Sequence, residues 1–245
     1  MEQARHHIGI LAHSAEGASL CYRTAWLEGI RLLGPHDHPE ITLTGKPMAA
    51  ALEAWERGDL AKLRAFFVDD ADKLKRAGAD FFVLPDNSAH IALEAPGPDF
   101  PLPCLHIAEV VAGEAVTRGF AKVAILGTKW TMEGPVYRSA LERRGLAWAV
   151  PGESDQAEIH RIIMDELCLG EIREVSREFF HAVIDGMRDA ECDSAALVCT
   201  EIPLIVEPDR AALPVLDSTR LLAHAAVAAA LGRAPFPKWR GGPVG

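Results

Sequence analysis

The sequence predicts an α/β fold of two pseudo-symmetric lobes, each a mostly parallel sheet flanked by helices. Short apolar runs alternate with longer amphipathic stretches, which is typical of βα units around a parallel sheet. Residues 81–90 and 195–204 share one plan, an apolar strand, a short polar turn and a helix start, which indicates duplicated halves with a cleft between them. A chain of 245 residues that is 49% hydrophobic is long enough to bury the cores of two small domains.

Strands are predicted from apolar runs and helices from apolar periodicity. A helix is predicted from Asp59 to Ala77, because Gly78 stands where a C-terminal stop belongs. A second helix is predicted to bury one face of residues 175–187, formed by Val175, Phe179, Val183, Ile184 and Met187. The predicted strands are residues 7–12, 41–44, 81–84, 122–126 and 194–198.

The first lobe is expected to comprise residues 1–112 with 217–245, and the second residues 113–216. The last helix, Asp217 to Leu231, would return to the first lobe. The tail beyond Gly232 is rich in Pro and Gly, so we expect an exposed extension.

Composition excludes several classes of function. A formal net charge of −10 argues against nucleic-acid binding, which depends on Lys and Arg neutralising phosphates. No apolar stretch is long enough to cross a membrane, and the N-terminus shows no secretory signal. The five cysteines are irregularly spaced and form no CxxC pair, which indicates neither a zinc site nor a disulfide framework. We therefore expect a cytoplasmic protein with reduced thiols.

In both repeated segments a side chain that can carry a proton follows a buried strand. These side chains are Asp86 and Cys199, and ligands of α/β sheets bind at this carboxyl edge. Backbone N–H groups at the following helix starts, with the side chains of Asn87, Ser88 and Thr200, would form a cradle for a small carboxylate. Alternatively, an Asp after a strand is only a helix cap, and a lone cysteine is only a small core residue.

Four segments together resemble the aspartate/glutamate racemase superfamily. Residues 198–204 (VCTEIPL) resemble its second catalytic motif, Cys-Thr-Glu followed by an apolar residue and Pro. Residues 84–90 (LPDNSAH) resemble its first motif, normally Cys-Asn-Thr-Ala-His. Residues 126–132 (LGTKWTM), followed by Tyr137, are similar to its Gly-Thr-x-x-Thr-Met segment, and residues 216–220 (LDSTR) to the segment that opens its last helix.

The resemblance implies a fold, an activity and an assembly. Family members have two pseudo-symmetric α/β lobes with the active site between them, and they need neither pyridoxal phosphate nor a metal. Two opposed cysteines transfer protons at the carbon next to a carboxylate. A homodimer that racemises or epimerises an amino acid, or a related small acid, is thus implied for this chain.

Asp86 stands where the family has its first cysteine, and this departure leaves two readings open. Partial burial can raise the pKa of a carboxylate, so Asp86 and Cys199 can form an unequal pair of bases. In the other reading Asp86 only binds or orients the substrate, and Cys199 alone moves protons. A single cysteine also fits the arylmalonate-type decarboxylases of the same superfamily, in which one thiol protonates the carbanion that forms when CO₂ leaves.

The resemblance suggests further binding residues. His13 and Ser14 replace a glycine-rich turn and are expected to reach the cleft, although a His at a strand end is equally often structural. Lys46 lies near a basic position of aspartate racemases, with an exposed lysine as the alternative. At a second such position stands Leu169, which points to a less polar substrate side chain. Thr128 and Thr131 are two more expected binding residues. His90 is expected to orient the first turn, and Glu201 to cap the second turn or tune Cys199.

The expected function is therefore a cofactor-independent amino-acid racemase or epimerase. An arylmalonate-type decarboxylase and a maleate- or hydantoin-type isomerase are alternatives on the same scaffold. A catalytically silent binder of small carboxylates is the alternative from another class. Fast alkylation of Cys199 that substrate prevents would favour an enzyme, and slow alkylation a binder.

Overall fold

The computed structural model describes residues 5–244 of the chain. Residues 1–4, on which the prediction about a secretory signal partly rests, and residue 245 lie outside the described residues. The chain divides into two compact units, one that runs to Ile107 and resumes at Leu222, and one formed by Ala108–Leu221. No helix within residues 5–244 has both the length and the apolar character needed to cross a membrane.

The first unit contains one parallel sheet with helices around it. Its strands are β1 (Ile8–Ala12), β2 (Ile41–Gly45), β3 (Phe81–Val83) and β4 (Cys104–Leu105). The helices are α1 (Ala15–Leu33), α2 (Ala49–Glu56), α3 (Leu60–Arg76) and α4 (His90–Glu94). The strand order is β2-β1-β3-β4, and all three pairings are parallel.

The second unit repeats this architecture. Its strands are β5 (Lys122–Gly127), β6 (Ala147–Ala149), β7 (Ser194–Val198) and β8 (Val215–Asp217), in the order β6-β5-β7-β8. The helices along this part of the chain are α5 (Ile107–Thr117), α6 (Lys129–Glu133), α7 (Pro135–Glu142), α8 (Glu153–Asp165) and α9 (Glu174–Asp189). The last helix, α10 (Ser218–Ala230), begins in this unit and continues in the first.

Both sheets follow one topology, which confirms the predicted fold class. In each sheet the second strand in chain order is at one edge, followed by the first, third and fourth. Strands β3 and β7 are buried along their whole length, as expected for parallel strands covered on both faces. The apolar runs 81–84 and 194–198 therefore predict the central strands correctly.

Helix α3 begins and ends where its sequence predicts. The Asp59 carboxylate accepts a hydrogen bond from the Lys62 N–H at 2.9 Å, which satisfies a donor of the first turn. At the other end Gly78 has φ = +93°, a left-handed conformation that a glycine adopts without strain.

The buried face of α9 differs from the predicted one. Phe180, not Phe179, lies in the core, and Val175 is 75% exposed. Adjacent phenylalanines point about 100° apart on a helix, so the sequence allowed either one to face inward. The observed core stripe is Ser176, Phe180, Val183, Ile184 and Met187.

The C-terminal tail is not an exposed extension, because its backbone pairs with the first unit. The Cys104 N–H donates to the Trp239 carbonyl at 2.7 Å, and the Phe100 N–H donates to the Arg240 carbonyl at 2.8 Å. The Trp239 ring lies 4.7 Å from the ring of His106. These backbone bonds and this ring contact tie the tail down, which its Pro- and Gly-rich composition did not predict.

Candidate active site

A first polar cluster lies at the carboxyl edge of the sheet in the first unit. His13 directly follows β1, and Asp86 comes three residues after β3. Because β1 and β3 are neighbouring parallel strands, their carboxyl ends meet at one edge. The structure brings the two side chains into contact there, His13 Nδ1 against Asp86 Oδ2.

The ionisation of Asp86 differs from the expectation that burial would make it a better base. Burial would raise the pKa of Asp86, but the charge and hydrogen bond of His13 outweigh it, and the net pKa lies below the ordinary value. The Ala89 N–H, which donates to Asp86 Oδ1 at 3.0 Å, acts in the same direction. Asp86 is therefore a carboxylate at neutral pH, and it also caps its own turn.

His90 fixes this turn and does not face a ligand. Its Nδ1 donates to the Asp86 carbonyl at 2.9 Å, and its Nε2 accepts from the Ile107 N–H at 3.3 Å, which defines the neutral tautomer. Burial, with the neighbouring His106, lowers the pKa of His90 to about 3. The fully buried ring therefore orients the Asp86 turn, and its assignment as a substrate-binding residue is corrected.

The other expected residues of this cluster surround the same turn. Asn87 is buried and Ser88 partly buried, directly after Asp86. The Ser14 hydroxyl accepts the Gly17 N–H at 3.3 Å as the N-cap of α1, which is a structural role. Only α4, a helix of five residues, follows the turn, so the expected contribution of a long helix dipole is small.

Lys46 is engaged by the protein itself. Its ammonium lies 2.7 Å from the Asp69 carboxylate and 3.5 Å from that of Asp70, and it donates to the Phe66 carbonyl at 2.9 Å. These partners neutralise the charge that a distal substrate carboxylate would need. Lys46 is therefore neither a free cation nor a fully exposed lysine, and its role in substrate binding stays a prediction.

A second polar cluster occupies the same edge of the sheet in the second unit. Gly127 and Val198 are register partners at the ends of β5 and β7, so Thr128 and Cys199 follow from neighbouring positions. The strands approach so closely that a Cβ on Gly127 would lie 2.7 Å from the Val198 carbonyl oxygen. Glycine is needed here to bring the two strand ends together.

Cys199 is held as a neutral thiol by its surroundings. Its Sγ donates to Glu201 Oε2 at 3.0 Å, and the Thr200 hydroxyl donates to the same oxygen at 2.9 Å. Burial raises the pKa of Cys199 well above its ordinary value, and the charge of Glu201 raises it further. Of the two expected roles of Glu201, the structure supports tuning of Cys199.

Hydroxyl groups complete the second cluster. The buried Thr128 and Thr131 place their hydroxyl oxygens 3.1 Å apart. Only a 3₁₀ turn, Ile202–Leu204, follows Cys199, so the expected helix start is absent at this point of the described chain.

Sequence reasoning missed Ser218 and Thr219. They open α10 directly after β8, and β8 pairs with β7 through Leu197 and Asp217, so both residues lie at the same carboxyl edge as Cys199. Ser218 donates to the Leu197 carbonyl at 2.8 Å. The Thr219 hydroxyl and Glu201 Oε1 are buried without a hydrogen-bond partner among residues 5–244. Polar residues directly after the apolar stretch 215–216 were the available signal.

The two clusters have complementary protonation states. Asp86 is ionised and can accept a proton, whereas Cys199 is protonated and can donate one. Slow alkylation of Cys199 is thus expected even of an enzyme, and it no longer distinguishes an enzyme from a binder. Within residues 5–244 no group of three or more His, Cys, Asp or Glu side chains is arranged to hold a metal ion.

Comparisons with known proteins agree on one family. The sequence profile of a family described as Asp/Glu/Hydantoin racemase matches residues 17–226. The chain is 24% identical over 172 residues to the broad specificity amino-acid racemase RacX of Bacillus subtilis (strain 168), covering 69% of this chain and 73% of that protein.

Solved structures show the same relationship. A Yersinia pestis protein described only as a candidate Asp/Glu racemase is 31% identical, with a TM-score of 0.80 over 92% of this chain and 99% of that one. An aspartate racemase homologue from Pyrococcus horikoshii OT3 is 26% identical, with a TM-score of 0.74 over 94% and 99% of the two chains.

Proposed function

The chain belongs to the Asp/Glu/hydantoin racemase family, and from that premise we propose that it is a cofactor-independent amino-acid racemase or epimerase. In this proposal Asp86 and Cys199 exchange protons at one carbon next to a carboxylate. Asp86 removes the α-proton, the electron pair stays on the carbon, and the Cys199 thiol returns a proton to the other face. The reverse direction uses the conjugate forms, a Cys199 thiolate and a protonated Asp86.

The observation that carries this proposal is the pair of opposite protonation states at equivalent sheet edges. A proton-transfer pair needs one group that is ionised and one that is protonated at the start of each turnover. His13 supplies the first condition by stabilising the Asp86 carboxylate. Burial and Glu201 supply the second by stabilising the Cys199 thiol. Positioned acids and bases of this kind contribute about 10²–10⁴-fold each to a rate.

We propose further that the substrate side chain lacks a second carboxylate. Lys46 is neutralised by Asp69 and Asp70, and Leu169 occupies the second position at which the family resemblance suggests a basic residue. Burial of an unpaired carboxylate against such surroundings would be costly. The name of the Bacillus subtilis relative, a broad specificity amino-acid racemase, is consistent with a range of side chains.

Hydrogen exchange in D₂O tests the proposal. The protein is incubated with single enantiomers of neutral, acidic and basic amino acids, hydantoins and substituted malonates, and proton NMR follows the α-hydrogen. We expect loss of the α-hydrogen signal from neutral amino acids, decreased about 10²–10⁴-fold in both Cys199→Ala and Asp86→Asn. No exchange with any amino acid or hydantoin would contradict the proposal.

The chain offers matched controls at the other ends of the same strands. Cys192 is a buried cysteine two residues before β7, and Asp80 directly precedes β3. Cys192→Ala and Asp80→Asn should therefore retain the exchange rate of the wild-type protein. Loss of exchange in these variants as well would indicate a general folding defect.

A decarboxylase is the second candidate, and the neutral thiol of Cys199 favours it. Removal of CO₂ leaves the carbanion without any base, so only a proton donor is required. Release of CO₂ from a substituted malonate, with one deuterium at the α-carbon, would support this candidate. The reaction would depend on Cys199 and proceed in Asp86→Asn.

A further inference from the structure

His13 and Asp86 form a contact that the sequence motifs do not predict. The two residues are 73 positions apart and meet because β1 and β3 are neighbours in the sheet. One carboxylate oxygen, Oδ2, contacts His13 Nδ1, and the other, Oδ1, accepts the Ala89 N–H at 3.0 Å. The carboxylate is thus held at both oxygens, which fixes its orientation.

Burial separates the roles of the two side chains. The Asp86 side chain is 18% exposed, whereas that of His13 is only 3% exposed. The imidazole packs edge-on against Phe67, with ring centroids 5.3 Å apart, and the Phe66 ring lies at 6.2 Å. Asp86 is therefore the member of the pair that a substrate reaches, and His13 supports it from the apolar interior.

The other ionisable groups around the pair are already engaged. His90 is neutral, with Nδ1 bonded to the Asp86 carbonyl and Nε2 to the Ile107 N–H. Beside His90, His106 is bonded to Glu94 at 2.8 Å. On the α3 side, Lys46 stands over the Phe66 ring and is paired with Asp69 and Asp70. Among these groups, His13 is the one whose ring contacts the Asp86 carboxylate directly.

We infer that His13 is a positioning residue that holds Asp86 as an oriented, ionised carboxylate ready to accept the α-proton. The catalytic role of the pair rests on the proposed function. The electrostatic interaction between His13 and Asp86 does not depend on that function. When the α-C–H bond breaks, the proton passes to Asp86 and the electron pair remains on the carbon. His13 stays bonded to Oδ2 and stabilises the ionised form of Asp86 between turnovers.

Replacement of His13 by asparagine removes the ring's ability to carry a charge but keeps a hydrogen-bond donor. The Asn amide can donate a hydrogen bond near the position of Nδ1, but it carries no charge. His7→Asn is the matched control, because His7 is also buried and flanks the opposite end of β1. The carboxyl carbon of Asp86, assigned by the loss of its signal in Asp86→Asn, is titrated by ¹³C NMR in each protein. The pH dependence of α-hydrogen exchange is measured in parallel.

We expect the titration midpoint of Asp86 and the acidic limb of the exchange profile to move to higher pH together in His13→Asn. Both should stay at their wild-type positions in His7→Asn. An unchanged midpoint and limb in a folded His13→Asn protein would overturn the inference and leave the proposed function intact. If the wild-type protein exchanges no substrate, the proposed function fails, and the ¹³C titration still decides whether His13 controls Asp86.

A variant-free measurement covers the case in which His13→Asn does not fold. The ¹⁵N shifts of the His13 ring in the wild-type protein report whether both nitrogens are protonated. We expect a doubly protonated ring at pH 7 for as long as Asp86 is ionised. A neutral His13 ring at that pH would overturn the inference.

Discussion

The Cys199 thiol is stabilised in its protonated form by the neighbour that accepts its hydrogen bond. Glu201 takes hydrogen bonds from both Cys199 and Thr200 through the same oxygen, which places a carboxylate 3.0 Å from the sulfur. A thiolate at this position would face both burial and a like charge. Cys199 is therefore held as a protonated thiol at the end of β7.

Removal of the Glu201 charge should make Cys199 more acidic. In Glu201→Gln the pKa of Cys199 falls toward its ordinary value, because the like charge is lost while an amide oxygen remains to accept the S–H. We expect iodoacetamide to label Cys199 faster in this variant than in the wild-type protein at pH 8, as followed by mass spectrometry of the Cys199 peptide. Glu207→Gln, at an exposed residue of the same unit, is the control. Equal or slower labelling of Glu201→Gln would show that Glu201 does not raise the pKa of Cys199.

At the scale of single residues, motifs predict which side chains cluster but not how these side chains change each other's pKa. The sequence identifies Asp86 and Cys199 because each follows a buried apolar run. It does not foresee the lowered pKa of Asp86, because the cause, His13, lies 73 residues away and meets it only through the sheet. It does not foresee the ion pairs of Lys46 for the same reason, since Asp69 and Asp70 reach it from a helix further along the chain.

The close approach of β5 and β7 positions the second cluster. Gly127 faces the backbone of Val198, the residue directly before Cys199, with no space for a side chain. In the first unit a glycine on a different strand, Gly45 at the end of β2, has a similar restriction, since a Cβ there would lie 2.8 Å from the Ala12 carbonyl oxygen. Each sheet therefore uses a glycine at a strand end that adjoins its polar cluster.

Substitution of Gly127 tests this requirement. In Gly127→Ala the added methyl group must displace the Val198 carbonyl, and we expect a loss of about 1–3 kcal/mol in the free energy of unfolding. Gly186→Ala is the control, because Gly186 lies in α9 with nothing within 4 Å of the place that an alanine methyl would occupy, and the variant gains about 0.5–1 kcal/mol from helix propensity. Urea unfolding measures both changes. Wild-type stability in Gly127→Ala would contradict the close strand approach.

At the scale of elements, the sequence predicts correctly the features that depend on a single segment of the chain. The central strands and the ends of α3 follow from apolar runs, an Asp cap and a glycine stop. The buried face of α9 and the course of the tail depend on what packs against them. The sequence could not distinguish Phe179 from Phe180, nor show that Trp239 contacts His106.

Across the molecule, the buried neutral His90 makes stability depend on pH. The folded pKa of His90 is about 3, whereas an unfolded histidine titrates near 6.5. Between these values unfolding takes up one proton at this site, so stability rises with pH across the window and is lost as the pH falls. The slope is about 1.4 kcal/mol per pH unit.

Comparison of urea unfolding at pH 7.5 and pH 5 tests this dependence. We expect the wild-type protein to lose more stability on acidification than His90→Asn, although the variant is less stable at pH 7.5 because the Ile107 N–H loses its acceptor. His224→Asn, at an exposed histidine of the same unit, should behave like the wild-type protein. The same loss in His90→Asn and wild type would show that His90 does not titrate in this way.

The repeated architecture was the feature of the whole molecule that the sequence predicted best. The two echoed segments, residues 81–90 and 195–204, correspond to the third strand of each sheet and the turn that follows it. The homodimer implied by the family resemblance stays a prediction, which sedimentation velocity would check.

We propose that Asp86 and Cys199 serve the same α-carbon. The most direct measurement is the rate of α-hydrogen exchange and racemisation in D₂O, begun separately from each enantiomer of the best substrate. We expect Asp86→Asn and Cys199→Ala each to lose racemisation about 10²–10⁴-fold, and the double variant to be little slower than the less active of the two single variants. Racemisation of both enantiomers at the wild-type rate in Asp86→Asn would contradict it and leave Cys199 as the sole proton-transfer group.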